Sequence, residues 1–584
     1  TLTTAASVTG EAAIESYVLA NGNQTFTVSA TGQNVTTGSG DVTVATGAIA
    51  DLNGSTIIGT AGGTVILRVD ADADISGATL TDVDEIHLHA DGVDLTATIA
   101  QNALITTATG SNSVTLSDAG STTGAAHVET YNLSSSGPNT FTLGDAAQNV
   151  NGGSAADTID VNGLTVTGTL ALADGANVIE LDNGANISSA TISSSGGSYN
   201  LNLASGAAVT MTAEQHNDAS AISGSGSESI TLTTAASVTG EAAIESYVLA
   251  DGNQTFTVSA TGQNVTTGSG DVTVATGAIA DLNGSTIIGT AGGTVILRVD
   301  ADADISGATL TDVDEIHLHA DGVDLTATIA QNALITTATG SNSVTLSDAG
   351  STTGAAHVET YNLSSSGPNT FTLGDAGQNV NGGSAADTID VNGLTVTGTL
   401  ALAGGANVIE LDNGANISSA TISSSGGSYN LNLASGAAVT MTAEQHNDAS
   451  AISGSGSESI TLTTAASVTG EAAIESYVLA DGNQTFTVSA TGQNVTTGSG
   501  DVTVATGAIA DLNGSTIIGT AGGTVILRVD ADADISGATL TDVDEIHLHA
   551  DGVDLTATIA QNALITTATG SNSVTLSDAG RQRG

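Results

Sequence analysis

The chain of 584 residues has no cysteine, no tryptophan, no lysine and only 2 prolines. Without thiols there is no disulfide framework and no thiol chemistry, which leaves the redox compartment open. With 5 Phe and 7 Tyr it lacks the large side chains that supply most buried area in a conventional globular core. The 5 arginines face 60 acidic residues, a formal charge of −55. Such a surface has nothing with which to neutralise phosphates, which excludes nucleic acid as a partner, and an anionic membrane repels it. No apolar run reaches the length of a membrane-spanning helix, so membrane insertion is not expected. Thr1 is not a start methionine and no signal peptide is visible, so the chain reads as a mature or excised piece.

What is present is repetition. Residues 1–230 recur at 231–460 with three changes, Asn21 to Asp251, Ala147 to Gly377 and Asp174 to Gly404, and 461–580 repeat 231–350 unchanged. Inside each 230-residue repeat lies an older symmetry. GEAAIESYVLANGNQTFTVSATGQNV at 10–35 aligns with GAAHVETYNLSSSGPNTFTLGDAAQNV at 124–150, matching Tyr17 to Tyr131, Phe26 to Phe141 and Gln33-Asn34-Val35 to Gln148-Asn149-Val150. Further on, DISGATL at 74–80 aligns with NISSATI at 186–192, and IHLHADG at 86–92 with YNLNLASG at 199–206. The chain therefore divides into halves of two kinds: A at 1–115, B at 116–230, A at 231–345, B at 346–460 and A at 461–580, with a non-repeat tail, RQRG, at 581–584.

Within each half, short apolar triplets such as YVL at 17–19, FTV at 26–28, VTV at 42–44, VIL at 65–67 and IHL at 86–88 alternate with Gly, Asn, Asp and Ser. Short alternating strands with frequent turn signals argue for an all-β protein, and no window sustains helical periodicity, so helix is at most marginal. A core of Ala, Val, Ile and Leu suits a β-solenoid of the parallel β-helix or β-roll kind, whose stacked coils need no large anchor. A string of immunoglobulin-like β-sandwich domains is the alternative, but it calls for a buried tryptophan-like anchor and for linkers between domains, and neither is present.

DISGATLTDVDEIHLHADGVDLTATIAQ at 74–101, AAHVETYNLSSSGPNTFTL at 125–143 and GGSAADTID at 152–160 resemble the repeat regions of giant type I-secreted adhesins and surface-layer proteins with RTX-type calcium β-rolls. That resemblance implies a secreted, extracellular or cell-surface β-solenoid and calcium as its ion. In the RTX nonapeptide pattern Gly152, Gly153, Asp157 and Ile159 fit, and Ala155 stands where the pattern has glycine. Asp157 and its copy Asp387 are the metal candidates this implies.

A second metal candidate comes from the residues alone. Asp70, Asp72 and Asp74 alternate, so on a strand their carboxylates share one face and repel unless a hard cation such as Ca2+ sits among them. The same run recurs as Asp300, Asp302 and Asp304 and as Asp530, Asp532 and Asp534. Its B-half counterpart is Asp182, Gly184 and Asn186, so the fold does not require the full charge. His87 and His89 form a His-x-His pair short of a full zinc set, with Asn200 and Asn202 aligned to them in the B half. Thr-x-Thr pairs at 25–27, 96–98, 140–142, 165–167 and 210–212 suggest an ice-binding array only if they line up. Asp51-Leu-Asn53-Gly-Ser55 and Asp251-Gly-Asn253-Gln-Thr255 fit an acidic bacterial glycosylation sequon.

Catalysis has little to work with. Arg68 and its copies are the basic residues inside the repeats, and no Ser-His-Asp set, P-loop or dinucleotide fingerprint occurs. The expectation is a non-enzymatic structural protein: a secreted, acidic repeat protein that associates with itself into an extracellular filament, stalk or surface layer and responds to divalent cations. A calcium-dependent adhesin for cell-surface polysaccharide or ice is the alternative, and a carbohydrate-active enzyme the third reading. The sequence shows no polar cap at either end, which in a solenoid invites stacking of copies.

Overall fold

The period-2 patterning resolves into coils. The computed structural model describes residues 1–195 and 198–578, and the RQRG tail lies outside them. It is a β-solenoid whose paired strands run parallel, with about 4% helix. Strand Val65–Val69 shows the local rule: Val65, Leu67 and Val69 point inward and are buried, whereas Ile66 and Arg68 point outward. Its partners obey the same rule, so one inward position stacks on the next. The register runs 18 residues from Phe26 to Val44, 23 on to Leu67, then 19 each to Ile86 and Ile105. Each step is one coil.

The chain forms two compact units, residues 1–296 with 308–313, and residues 297–307 with 314–584. In the first, each half of the repeat sends six strands into one sheet: Val8–Thr9 through Ile105–Ala108 in half A, and Ser121–Thr123 through Ile222–Ser223 in half B. A second sheet runs beside the first in half A, from Ser16–Val18 to Thr79–Thr81. The coil beginning at Val65 feeds three sheets at once, because its short strand Ala73–Asp74 starts a third, seven-stranded sheet that carries on to Thr191–Ser194. The second unit repeats the pattern, with Phe371, Ile389, Ile409, Leu431 and Ile452 stacked in register.

Two short helices, Ile99–Asn102 and Ala213–Asp218, punctuate the halves. Both start from a capping box, Thr98 with Gln101 and Thr212 with Gln215, in which the threonine hydroxyl and the glutamine side chain satisfy each other's backbone amides. The same glutamines reach back a coil: Gln101 Nε2 donates to the Ile75 and Ala78 carbonyls, and Gln215 Nε2 to those of Ile187 and Ala190. The Thr-x-x-Gln spacing was legible, but a single turn leaves no helical period to detect.

The core is thin and aliphatic, as the composition demands. Its largest buried groups are one Tyr–Phe pair per half, with ring centroids 4.6 Å apart at Tyr17 and Phe26 and 4.7 Å at Tyr131 and Phe141, joined in half B by Tyr199. The Gln-Asn-Val motif matched between halves is a staple between coils. Buried Gln148 donates to the Ala125 and Val128 carbonyls of the preceding coil and accepts from Gly144 N, while Asn149 Oδ1 accepts from Thr169 N of the next coil at 2.8 Å. Glycine is obligatory where coils touch backbone to backbone: a Cβ on Gly38 would lie 2.0 Å from the Ala20 carbonyl oxygen.

Phe141→Ala should cost about 3–5 kcal/mol through lost burial and the cavity left, and Gln148→Ala about 1–3 kcal/mol through unsatisfied buried amides. Hydrogen exchange should show both losses concentrated in the coils around strand Thr140–Thr142, because each coil touches only its neighbours.

Candidate functional site

The Asp70–Asp74 run does not lie on one strand. Asp70 follows strand Val65–Val69, Ala71 and Asp72 form a bend, and Asp74 ends the next strand. The expected shared face is therefore absent: a two-residue alternation holds only while the backbone stays extended, and here it turns a corner. Each carboxylate serves an internal bond. Asp70 takes a bidentate pair from Arg68, at 2.8 and 3.2 Å, and accepts from Gly47 N. Exposed Asp72 accepts from Asp94 N at 2.9 Å, one coil on. Asp74 accepts from the backbone and hydroxyl of Ser76 and from Asn53 Nδ2. Partial burial opposes ionisation of Asp74, but these donors outweigh it and hold its carboxyl below the ordinary aspartate value.

The copies behave alike within their own units. Arg298 pairs with Asp300, Asp302 accepts from Asp324 N and Asp304 from Ser306. Arg528 likewise pairs with Asp530, Asp532 accepts from Asp554 N, and Asp534 accepts from Ser536. Asp157 is 1% exposed, and its carboxylate is filled by Asn139 N, Asn139 Nδ2 and Gly153 N at 3.0, 2.7 and 2.7 Å. Asp387 makes the same three bonds with Asn369 and Gly383. Among the described residues no group of three or more His, Asp or Glu is arranged to hold a metal ion.

The histidine pair also separates. His87 points outward from strand Glu85–Leu88 and bonds Glu85 at 2.6 Å, while His89 lies beyond the strand. Register corrects the alignment of this stretch. His87 stacks on Arg68 as Asn202 stacks on Glu180, so the counterpart of His87 is Asn202, and Asn200, stacked on Val178, answers to Glu85 stacked on Ile66. The Thr-x-Thr pairs fall on different sheets or loops, not in one array: Thr25 and Thr27 are in the first sheet, Thr96 in the third and Thr140 and Thr142 in the sheet of half B. At the sequons, Asn53 is tied by Gly77 N and Asp74, whereas Asn253 accepts only through Oδ1, from Asp271 N.

The hollows are small or open. One of about 90 Å3 is lined by His127, Glu129, Asp145 and Gln148, and its copy grows to about 180 Å3 where Gly377 replaces Ala147; small-molecule sites usually enclose about 300–1,000 Å3. A shallow depression of about 520 Å3 lies between Ile329 and Ala355. Comparison with protein families, with curated proteins and with solved structures finds no match for the chain.

One buried titratable group that sequence reading passed over is His216, at the junction from half B to half A. It is 3% exposed, its Nε2 meets the Tyr247 hydroxyl at 3.2 Å, and its ring stands edge-on to Tyr247 at 5.7 Å. Its Nδ1 is buried and finds no hydrogen-bond partner among the described residues. His446 repeats the arrangement with Tyr477. At the other junction, from A to B, the same place holds Asn102, which accepts from the Tyr131 hydroxyl at 3.1 Å. Nothing in a lone histidine of a polar stretch, AEQHND, signals burial.

Burial lowers the His216 pKa below its ordinary 6.5. The unfolded chain then binds the proton more readily, so the junction keeps its stability above about pH 6.5 and loses it as pH falls through the depressed native value. Nearby Glu241, raised by burial, acts with the opposite sign at lower pH. Protection factors over 213–218 and 246–248, taken after the intrinsic pH dependence of amide exchange is divided out, should therefore fall between pH 7.5 and pH 5.5, and His216→Asn should abolish that fall.

Proposed function

We propose that the chain is a non-enzymatic structural protein that associates with itself into an extracellular filament, stalk or surface layer. The observation that carries this reading is the recurrence of solenoid coils at a period of 230 residues, with only three substitutions between the first two repeats: nearly every outward feature is presented again at each repeat, which multiplies weak contacts between copies. A catalytic cleft needs residues that occur once. The secreted setting rests on the resemblance to type I-secreted adhesins and on the charge of −55, which suits an ion-rich exterior.

Divalent cations enter this reading through charge. Because Asp70, Asp74 and Asp157 already serve internal donors, the cation effect is ascribed to screening of the whole surface, whose range is about 10 Å at 0.1 M salt, with Ca2+ more effective than Na+ by valence.

Negative-stain microscopy of the purified chain in millimolar calcium should show filaments or lattices. A chelator at low ionic strength should disperse them, and 0.5 M NaCl with the chelator should restore them. Dispersal that persists in NaCl would instead require a dedicated calcium site. Isolated particles under every condition would overturn the structural reading.

A further inference from the structure

The exposed apolar side chains are not scattered. Apart from Ile14 and the last described coil's Ile559, Val574 and Leu576, the strongly exposed large apolar residues among those described are Val18, Ile58, Val248, Ile288, Val478 and Ile518, each 37–42% exposed. All six are copies of two positions, and both positions lie in one outward row. In the sheet from Ala208–Met211 to Thr309–Thr311 that row reads Thr210, Thr231, Val248, Thr266, Ile288, Thr311 in strict register. Every member is β-branched. The parallel outward row of the same strands holds only Ala, Ser, Asn and Thr, so none of the sheet's outward positions is ionisable. Other outward faces do carry charge: Arg68, Glu85 and His87 on one, Asp160 and Glu180 on another.

We propose that this strip is the contact through which one copy of the chain binds a second copy, strip against strip. The inference rests on the self-association reading and names its surface. Within the strip from Ala208–Met211 to Thr309–Thr311 a contact at Val248 uses the face, because Ser246–Val248 is already paired on both sides, by Ser229–Leu232 and Asn264–Thr266. Two chains of charge −55 repel wherever acidic faces meet, and a strip free of ionisable groups is where they approach at least cost. A basic partner would instead choose the acidic faces. Six strands at about 4.8 Å make the strip about 24 Å long, less than a stable interface requires by itself. Three copies of the Val/Ile pair per chain supply the multiplicity, and the contact is weak wherever a single strip acts alone.

The test compares two triple variants under the wild-type assembly conditions. Ile58→Glu, Ile288→Glu and Ile518→Glu together should weaken association at least tenfold by light scattering. Thr25→Glu, Thr255→Glu and Thr485→Glu, which add the same charge to an outward face of the first-sheet type, should leave it within about twofold. Because the chain has no cysteine, a single Ile288→Cys in the otherwise wild-type chain should be joined into dimers by a short bis-maleimide, and Thr255→Cys should not. Equal loss in both triple variants, or no loss in either, would overturn the strip, as would equal cross-linking at the two cysteine positions. Wild-type chains that assemble while the strip variant assembles equally leave the structural reading standing without the strip. Wild-type chains that never associate overturn both.

Discussion

The molecule depends on strands pairing in parallel and in register with the strand one coil away. Parallel pairing keeps like positions stacked: Leu67 lies between Val44 and Ile86, all three inward, and Tyr131 lies between Val114 and Val150. A slip of one residue in any coil would turn its buried row outward. The uneven coil lengths, 18 residues in one step and 23 in another, are absorbed at the corners. There Gly38 approaches the Ala20 carbonyl too closely for any side chain, and Gln and Asn side chains bond the backbone of the neighbouring coil.

The same constraint disposes of the acidic residues. In a molecule with so few basic groups, carboxylates at coil corners are stabilised by backbone amides and side-chain amides: Asp157 by Asn139 and Gly153, Asp72 by Asp94 N. A carboxylate so engaged is a structural element of the corner, and the motif Asp-x-Asp-x-Asp is three successive corner bonds. This explains why the B half does without it: at the position of Asp74, Asn186 Oδ1 makes the same bonds to Ser188 without the charge.

The two halves of the repeat solve their junctions differently. From A to B, a neutral amide, Asn102, receives the buried Tyr131 hydroxyl; from B to A, His216 meets Tyr247. The scaffold is the same, and one side chain differs: an amide at one junction, and at the other an imidazole whose pKa burial lowers. The faces differ in the same way, with charge kept to some sheets and excluded from the Val/Ile strip, so a fold made of repeated coils still presents distinct surfaces.

Much of this was readable in the letters. The alternation of Val65–Val69, the Gln-Asn-Val match between Gln33 and Gln148, the Tyr–Phe pairs and the want of a large anchor pointed to stacked coils, because inward positions must be apolar and small wherever strands stack at one spacing. Tertiary structure alone decided which coil meets which. Register moved the partner of His87 from Asn200 to Asn202, bent the Asp70–Asp74 run around a corner, buried His216, and gathered Val248 and Ile288, forty residues apart, into one row. The physical reason is that coil length varies from step to step. Periodicity along the chain establishes that coils stack, while the neighbours across the stack depend on how many residues each corner takes up.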